Sequence, residues 1–239
     1  DICYVGIFSD ITQRKAAEEK ISFLAYHDQL TALPNRELFY DRLSQAMSQA
    51  RRKCGSLALL FLDLDGFKAI NDNYGHEAGD NILKTTANRL LASIRKADTV
   101  ARLGGDEFAV VLYEIEKPED VAGVSEKIIQ KLTEPVLIKD THECGIGVSI
   151  GIAIYPEDGA EIDSLMSAAD SAMYESKAGG KRTYTFFTKQ AREDANNQPW
   201  IVLGAAHLLG IPEIDQQHSR IVSMLNKLNA AVKKNQAPE

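Results

Sequence analysis

The sequence predicts a mixed α/β fold for the long middle part of the chain, residues 27–187. Two observations lead to this prediction. Amphipathic helices alternate with short apolar strands, and one pair of strands is joined by a tight turn instead of a helix. Because hairpins produce antiparallel neighbours and helical crossovers produce parallel ones, we expect a mixed sheet with flanking helices.

The first helix of this region follows a break at Pro34. Asn35 is a suitable N-cap, and the helix is predicted to run to about Arg52. The apolar run Leu57–Asp63 carries its only charge at its last position, which predicts a strand in the middle of the sheet. A long helix follows near His76–Arg95, and its expected buried face consists of Ile82, Leu83, Ala87, Leu90, Leu91 and Ile94.

Helices and strands continue to alternate up to residue 187. The remaining predicted elements are a hairpin at Thr99–Glu114, a helix at Pro118–Leu132, a strand pair around Val136 and Val148–Ile154, a helix at Glu161–Ala178 and a short strand at Thr183–Phe187. The last helix is amphipathic, with Ile162, Leu165, Ala169 and Met173 on one face.

Shorter segments flank this region on both sides. Residues 1–12 alternate like a strand, and residues 13–26 form a Lys/Glu/Ala-rich linker helix. Residues 188–199 form a polar, turn-rich linker. A further apolar segment begins at Trp200, and residues 200–239 contain one amphipathic helix, Gln216–Lys234.

Composition excludes several classes of partner. The formal net charge of −7 argues against nucleic acid or an anionic membrane as the main partner, although a small anion remains open if cations or metals neutralise it. Three widely spaced cysteines indicate reduced thiols and a cytoplasmic location. The longest apolar run, Leu57–Leu62, is too short to cross a bilayer, so we expect no membrane contact in this part of the protein.

The predicted hairpin carries two adjacent acids at its tip. Gly104 and Gly105 suit a tight turn, and Asp106 and Glu107 follow at once. Exposed turns are often acidic for solubility alone. A carboxylate at the end of a buried strand, as at Asp63, is costly unless it is paired or binds a cation.

If the Asp63 strand lies beside the hairpin, Asp63 and Asp106 converge on one edge of the sheet. Two hard oxygen ligands suit Mg²⁺ bound together with phosphate. Aspartates at strand ends also serve as helix N-caps, so the spacing leaves both interpretations open.

Four motifs decide between these interpretations. "HDQLTALPNR", "LDLDGFKAINDNYGHEAGD", "RLGGDEF" and "SIGIAIYPEDG" occur in this order, and the chain from about His27 to Phe187 resembles the GGDEF family of diguanylate cyclases. The resemblance implies a ferredoxin-like mixed-sheet palm of nucleotidyl-cyclase type with flanking helices. It also implies a Mg²⁺- or Mn²⁺-dependent homodimer that condenses two GTP into cyclic di-GMP and two pyrophosphates.

The resemblance assigns roles to individual residues. It implies Asp106 and Glu107 as catalytic acids, and a metal site formed by Asp63, the Leu64 carbonyl, Asp106 and Glu107. The implied GTP-binding residues are Gly66, Phe67, Lys68, Asn71, Asp80, Gly104, Gly105, Lys177 and Lys181. Among these, Asp80 and Asn71 match guanine readers, since a carboxylate accepts the N1–H and N2–H donors that adenine lacks.

The chain departs from the family pattern at one phosphate-binding position. The family usually has arginine where this sequence has Lys181, which keeps the charge and loses the bidentate fork, and Arg182 is an alternative. Arg95 and Asp98 match the family's RxxD product-inhibition site, with Lys127 as the nearest further cation. An Arg/Asp pair at a helix end is also an ordinary surface feature.

The flanks carry weaker resemblances. The N-terminal strand and helix are similar to the tail of a PAS domain, and residues 200–239 resemble the start of a bacterial hemerythrin-like domain. His218 matches the first iron ligand of that domain, but the later ligands are missing, so we expect no di-iron centre in residues 1–239.

Two functions therefore compete for this sequence. The first is an active diguanylate cyclase with product feedback inhibition. The alternative is a catalytically weak GGDEF domain that acts as a receptor for cyclic di-GMP or GTP. Asp63, Asp106 and Glu107 are all present, which favours the enzyme.

Overall fold

The computed structural model describes residues 23–138 and 142–188. Residues 23–26 are helical. The predicted strand at 1–12, the rest of the linker helix, most of the linker at 188–199 and the hemerythrin-like segment with His218 lie outside the described residues. None of the described helices is both long and apolar enough to cross a membrane.

A five-stranded sheet forms the centre of the domain. Its strands are β1 (Ser56–Asp65), β2 (Thr99–Gly104), β3 (Glu107–Ile115), β6 (Gly147–Tyr155) and β7 (Tyr184–Phe186). They lie in the order β2-β3-β1-β6-β7, with antiparallel pairs throughout except for β6 and β7, which are parallel. The predicted mixed sheet with the strand at Leu57–Asp63 in its middle is confirmed.

Helices cover both faces of this sheet. They are α1 (Arg36–Lys53), α2 (Phe67–Tyr74), α3 (His76–Ser93), α4 (Pro118–Thr133) and α5 (Ile162–Ala178). Alternate β1 residues enter two separate cores: Leu60, Leu62 and Leu64 pack with α3 and α4, while Leu59 and Phe61 pack with α1 and α5. Burial on both faces explains why β1 is apolar at nearly every position.

The local signals at the start of α1 act as predicted. The Asn35 side chain accepts a hydrogen bond from the Leu38 amide at 3.1 Å, and so satisfies one of the unpaired donors of the first turn. The positions of Pro34 and Asn35 therefore fix where this helix begins.

Two sequence predictions about the fold are wrong. Val136 does not pair with the strand at Val148–Ile154, because β4 (Val136–Ile138) pairs with β5 (His142–Cys144) in a separate two-stranded sheet. Leu91 is 51% exposed, because successive helical residues point about 100° apart and Leu90 already occupies the buried side of α3.

One glycine sets the closest contact between helix and sheet. A Cβ atom on Gly151 of β6 would lie 2.0 Å from the Ala169 carbonyl oxygen and 2.1 Å from the Met173 amide nitrogen of α5. The backbone in the middle of α5 therefore lies directly on β6, beside the position where Gly151 pairs with Phe61 of β1.

We predict that Gly151→Ala lowers the free energy of unfolding by about 2–3 kcal/mol or prevents folding, because neither backbone can move aside cheaply. Urea unfolding followed by circular dichroism measures this. Gly145→Ala is the control, since its nearest neighbour is an ordinary contact at 3.8 Å. Equal stability of the two variants would contradict the packing argument.

Candidate active site

Three acidic side chains meet at one edge of the five-stranded sheet. Asp63 of β1 pairs with Glu107 of β3, so their side chains lie on the same face. Asp106 lies in the turn just before Glu107, and its carbonyl oxygen accepts a hydrogen bond from the Leu64 amide at 3.4 Å. The structure thus brings together the acids that the sequence singled out.

The cluster is electrostatically strained. Burial raises the pKa of Asp63, the Lys177 ammonium at 2.7 Å opposes this, and the charge of Asp106 raises the pKa further. Burial also raises the pKa of Glu107, and Arg36 at 3.7 Å opposes it. Like charges crowded together favour a cation at this edge.

The available donors fit a hard divalent metal ion. The Asp63 and Asp106 carboxylates lie close enough for the charge of Asp106 to raise the pKa of Asp63, and Leu64 follows Asp63 in β1. Within residues 23–138 and 142–188, no three His, Cys, Asp or Glu side chains are already arranged around a common metal position. Mg²⁺ is often held by one or two carboxylates together with phosphate oxygens and water, so this partial set suits a metal that binds along with a nucleotide.

Two glycines shape the hairpin tip. Gly104 has φ +152° and Gly105 has φ +51°, and a Cβ at either would meet nothing within 4 Å. The left-handed backbone of Gly105 closes the turn, and both glycines are exposed. The space beside the turn therefore admits a ligand close to the main chain.

A partly buried ion pair supports the same turn. The Arg102 guanidinium donates to the Gly105 carbonyl oxygen from Nε at 3.0 Å and from Nη2 at 2.8 Å, and its Nη1 reaches both Asp28 oxygens at 3.0 Å. Asp28 also accepts from the amide and hydroxyl of Thr31. Burial alone would raise the pKa of Asp28, but the bonds from Thr31 and Arg102 outweigh it and lower the pKa.

The candidate phosphate-binding turn opens α2. Gly66 adopts a left-handed conformation with φ +80° and ψ +15° and serves as the N-cap. Phe67 packs partly against the core, whereas Lys68 is exposed and makes no side-chain hydrogen bond or ion pair within the described ranges. The turn therefore presents backbone amides and one available cation on the edge where β1 ends.

The candidate guanine readers lie together where α2 meets α3. Asn71 lies against Gly79, and Asp80 is the next residue of α3. Neither the Asn71 amide nor the exposed Asp80 carboxylate makes a side-chain hydrogen bond or ion pair in the part of the chain that the structure describes. Both groups are thus available to a ligand.

The two candidate phosphate lysines of the C-terminal half behave differently. Lys177 is paired with Asp63 at 2.7 Å, whereas Lys181 is exposed. Lys181 and Arg182 both have left-handed backbones, with φ +65° and +51°. Asp65 holds this loop, because its carboxylate accepts the Arg182 amide at 3.0 Å and the Ser149 hydroxyl at 2.8 Å.

Arg95 and Asp98 lie at a separate cleft of about 440 Å³. Asp98 accepts hydrogen bonds from the Arg95 amide at 3.0 Å and the Tyr113 amide at 3.2 Å. Lys127 lines the same cleft and donates to the Ser93 carbonyl at 3.0 Å. The structure thus brings Lys127 beside the RxxD pair.

Sequence reasoning missed four supporting residues, namely Asp28, Arg36, Asp65 and Arg102. All four lie inside the quoted motifs. The two-residue step from Asp63 to Asp65, which places both on one face of β1, is a signal that identifies Asp65. Asp28 and Arg102 are 74 residues apart, and no local pattern indicates their contact.

Comparison with known proteins agrees with this geometry. The family model for "Diguanylate cyclase, GGDEF domain" matches residues 25–183. The bifunctional diguanylate cyclase/cyclic di-GMP phosphodiesterase MucR of Pseudomonas aeruginosa is 48% identical over 187 residues, which is 78% of this chain and 27% of MucR. The chain thus spans about a quarter of the length of that relative.

Solved structures show the same fold. The GGDEF domain of TpbB from P. aeruginosa matches with a TM-score of 0.70 and 38% identity, covering 72% of this chain and 99% of that domain. The coiled coil and GGDEF domain of DgcB from Caulobacter crescentus, solved in complex with c-di-GMP, match with a TM-score of 0.67 and 31% identity, covering 74% of this chain and 93% of that one.

We predict that Asp28→Asn lowers the free energy of unfolding at pH 7 by about 2 kcal/mol, the size of a charged hydrogen bond. Because the folded state lowers the pKa of Asp28, its stabilisation is present above the unfolded pKa of about 3.9 and is lost as the pH falls through the folded value.

The difference in the free energy of unfolding between wild type and Asp28→Asn should therefore become smaller below about pH 4. Urea unfolding between pH 3 and pH 7 measures it. Asp41→Asn is the control, since Asp41 is exposed and accepts one bond from Gln45. A pH-independent difference would contradict the ion-pair argument.

Proposed function

Since the chain belongs to the GGDEF diguanylate cyclase family, we propose that it condenses two GTP molecules into cyclic di-GMP and two pyrophosphates. The observation that carries the proposal is the meeting of Asp63, Asp106 and Glu107 at one sheet edge, beside an open glycine turn. Degenerate members of the family typically lose one of these acids, and all three are present in this chain.

The reaction requires two nucleotide sites facing each other. In a homodimer each subunit holds one GTP, and the 3′-hydroxyl of each attacks the α-phosphorus of the other. A new bond forms between the 3′-oxygen and the α-phosphorus. The bond between the α-phosphorus and the oxygen that bridges to the β-phosphorus breaks, and pyrophosphate leaves with that electron pair. The hydroxyl proton passes to a base at the acidic edge.

The residues at this edge have different proposed roles in the reaction. Asp63, Asp106 and the Leu64 carbonyl would hold Mg²⁺ or Mn²⁺, which would supply charge neutralisation at the phosphate and acidify the 3′-hydroxyl. Glu107 adjoins this position, and its raised pKa suits acceptance of the proton. Lys177 balances the charge of Asp63 at 2.7 Å.

The remaining groups bind and orient GTP. Asp80 would accept the N1–H and N2–H donors of guanine, and the Asn71 amide would contact a second position on the base. Lys68 and Lys181 are exposed cations that would contact the phosphates. Because GTP is a cytoplasmic nucleotide, we place the proposed reaction in the cytoplasm.

The cleft at Arg95 supports a second role in regulation. The Arg95 guanidinium makes no hydrogen bond or ion pair among the described residues, while Asp98 fixes the Arg95 backbone. With Lys127, two cations line one cleft. Arginine suits the O6 and N7 atoms of guanine and phosphate, so we propose that cyclic di-GMP binds here and inhibits the enzyme.

We predict that purified protein incubated with GTP and Mg²⁺ forms cyclic di-GMP, and that Asp106→Asn reduces the rate at least about 100-fold, because a neutral amide is a poor Mg²⁺ ligand. Liquid chromatography with mass spectrometry identifies the product. Asp41→Asn, on the exposed side of α1, is the control. Product binding without synthesis by wild type would favour the receptor alternative, and synthesis by Asp106→Asn at the wild-type rate would remove the metal assignment.

We predict that Arg95→Ala and Lys127→Ala each weaken cyclic di-GMP binding about tenfold, the loss expected for one charged hydrogen bond. Initial rates without product should stay near wild type, because the cleft is separate from the acidic edge. Calorimetry measures binding, and rate assays with added product measure inhibition. Inhibition unchanged in both variants would exclude this cleft as the site.

A further inference from the structure

Helices α2 and α3 meet at a single shared residue. Gly75 is the C-cap of α2 and the N-cap of α3, with φ +84° and ψ +166°, and its amide donates to the Asn71 carbonyl at 2.9 Å. The chain therefore passes from one helix to the next at a single residue, and Asn71 and Phe67 of α2 lie against the first turn of α3.

This packing leaves no room for a side chain at Gly79. A Cβ atom there would lie 2.0 Å from Asn71 Oδ1, 3.0 Å from Asn71 Cγ and 3.2 Å from Phe67 Cζ. Gly79 is buried and helical, and its φ lies outside the left-handed region. Glycine inside a helix costs about 0.5–1 kcal/mol relative to alanine, so the backbone conformation gives no reason for it.

The space at Gly79 is filled by the Asn71 amide. That amide lies against the helix backbone one residue before Asp80, and it makes no side-chain hydrogen bond among the residues that the structure places. A polar group that is half-buried and unpaired is available to a ligand, and its position is set by the surface beneath it.

We propose that Gly79 is a positioning residue for guanine selectivity: its missing side chain lets the Asn71 amide lie beside Asp80, so that both contact one base. The inference rests on the proposed role of Asn71 and Asp80 in GTP binding. An alanine at position 79 would push the amide aside while leaving the Asp80 carboxylate, the acidic edge and the phosphate-binding turn in place.

The test is a double-mutant cycle with Gly79→Ala, Asn71→Ala and the combined variant. Gly79→Ala should raise the KM for GTP about tenfold, the loss expected for one hydrogen bond, with kcat changed less than about threefold. The preference for GTP over ITP and ATP should fall in the same variant. In the Asn71→Ala background the Gly79→Ala change should add nothing to the KM, because the group it displaces is already absent.

Thermal unfolding supplies a second readout. Gly79→Ala should lower the melting temperature of wild type and leave that of Asn71→Ala unchanged or higher, since the two closest atoms belong to Asn71. Gly55→Ala is the control, because a Cβ there meets nothing within 4 Å. If Gly79→Ala does not fold, Asn71→Gln replaces it: the amide is kept but displaced by one carbon, and selectivity should fall similarly.

Three results would overturn the inference. These are an unchanged KM and nucleotide preference in folded Gly79→Ala, a KM effect of Gly79→Ala that persists in full in the Asn71→Ala background, and unchanged GTP binding by Asn71→Ala. The last result removes Asn71 as a reader, and cyclic di-GMP synthesis by the wild type then shows that the proposed function stands without it.

Discussion

The register between β1 and β3 is the constraint on which the rest of the site depends. Asp63 pairs with Glu107, while Leu62 and Leu64 on either side of Asp63 point into the opposite core. A slip of one residue would turn the Asp63 carboxylate towards the core that Leu62 and Leu64 fill, so burial on both faces of β1 fixes the register. The acidic edge is therefore positioned by hydrophobic burial that takes no part in the chemistry.

The carboxylates of the acidic edge repel one another, and neighbouring cations offset part of this repulsion. Burial raises the pKa of Asp63 and of Glu107, and each carboxylate has one cation beside it, Lys177 and Arg36 respectively. These ion pairs reduce the electrostatic cost of the buried carboxylates but do not remove it, since the pKa values of Asp63 and Glu107 both remain raised. A domain selected for stability alone would place apolar or neutral groups here, whereas a site that receives a metal and a triphosphate benefits from the concentrated charge.

Backbone conformations that few residues adopt surround this edge, and side chains support two of them. Arg102 holds the Gly105 carbonyl, and Asp65 holds the amide of Arg182. The supporting carboxylates, Asp28 and Asp65, come from other elements than the turns they fix. The turns therefore stay open to a ligand while side chains on their other side fix the main chain. Such preorganisation reduces the conformational entropy that the loops lose when a ligand binds.

The sequence by itself determined the alternation of elements, the central place of β1, the start of α1 at Asn35 and the set of acids at the sheet edge, because these follow from local periodicity, capping and motif spacing. Only the tertiary structure decided that Val136 belongs to a second sheet, that Leu91 faces solvent, that Lys177 pairs with Asp63 and that Gly79 makes room for Asn71. The Lys177–Asp63 pair joins distant parts of the chain, and the other three outcomes depend on how neighbouring elements pack against one another, which the periodicity of a single element does not reveal.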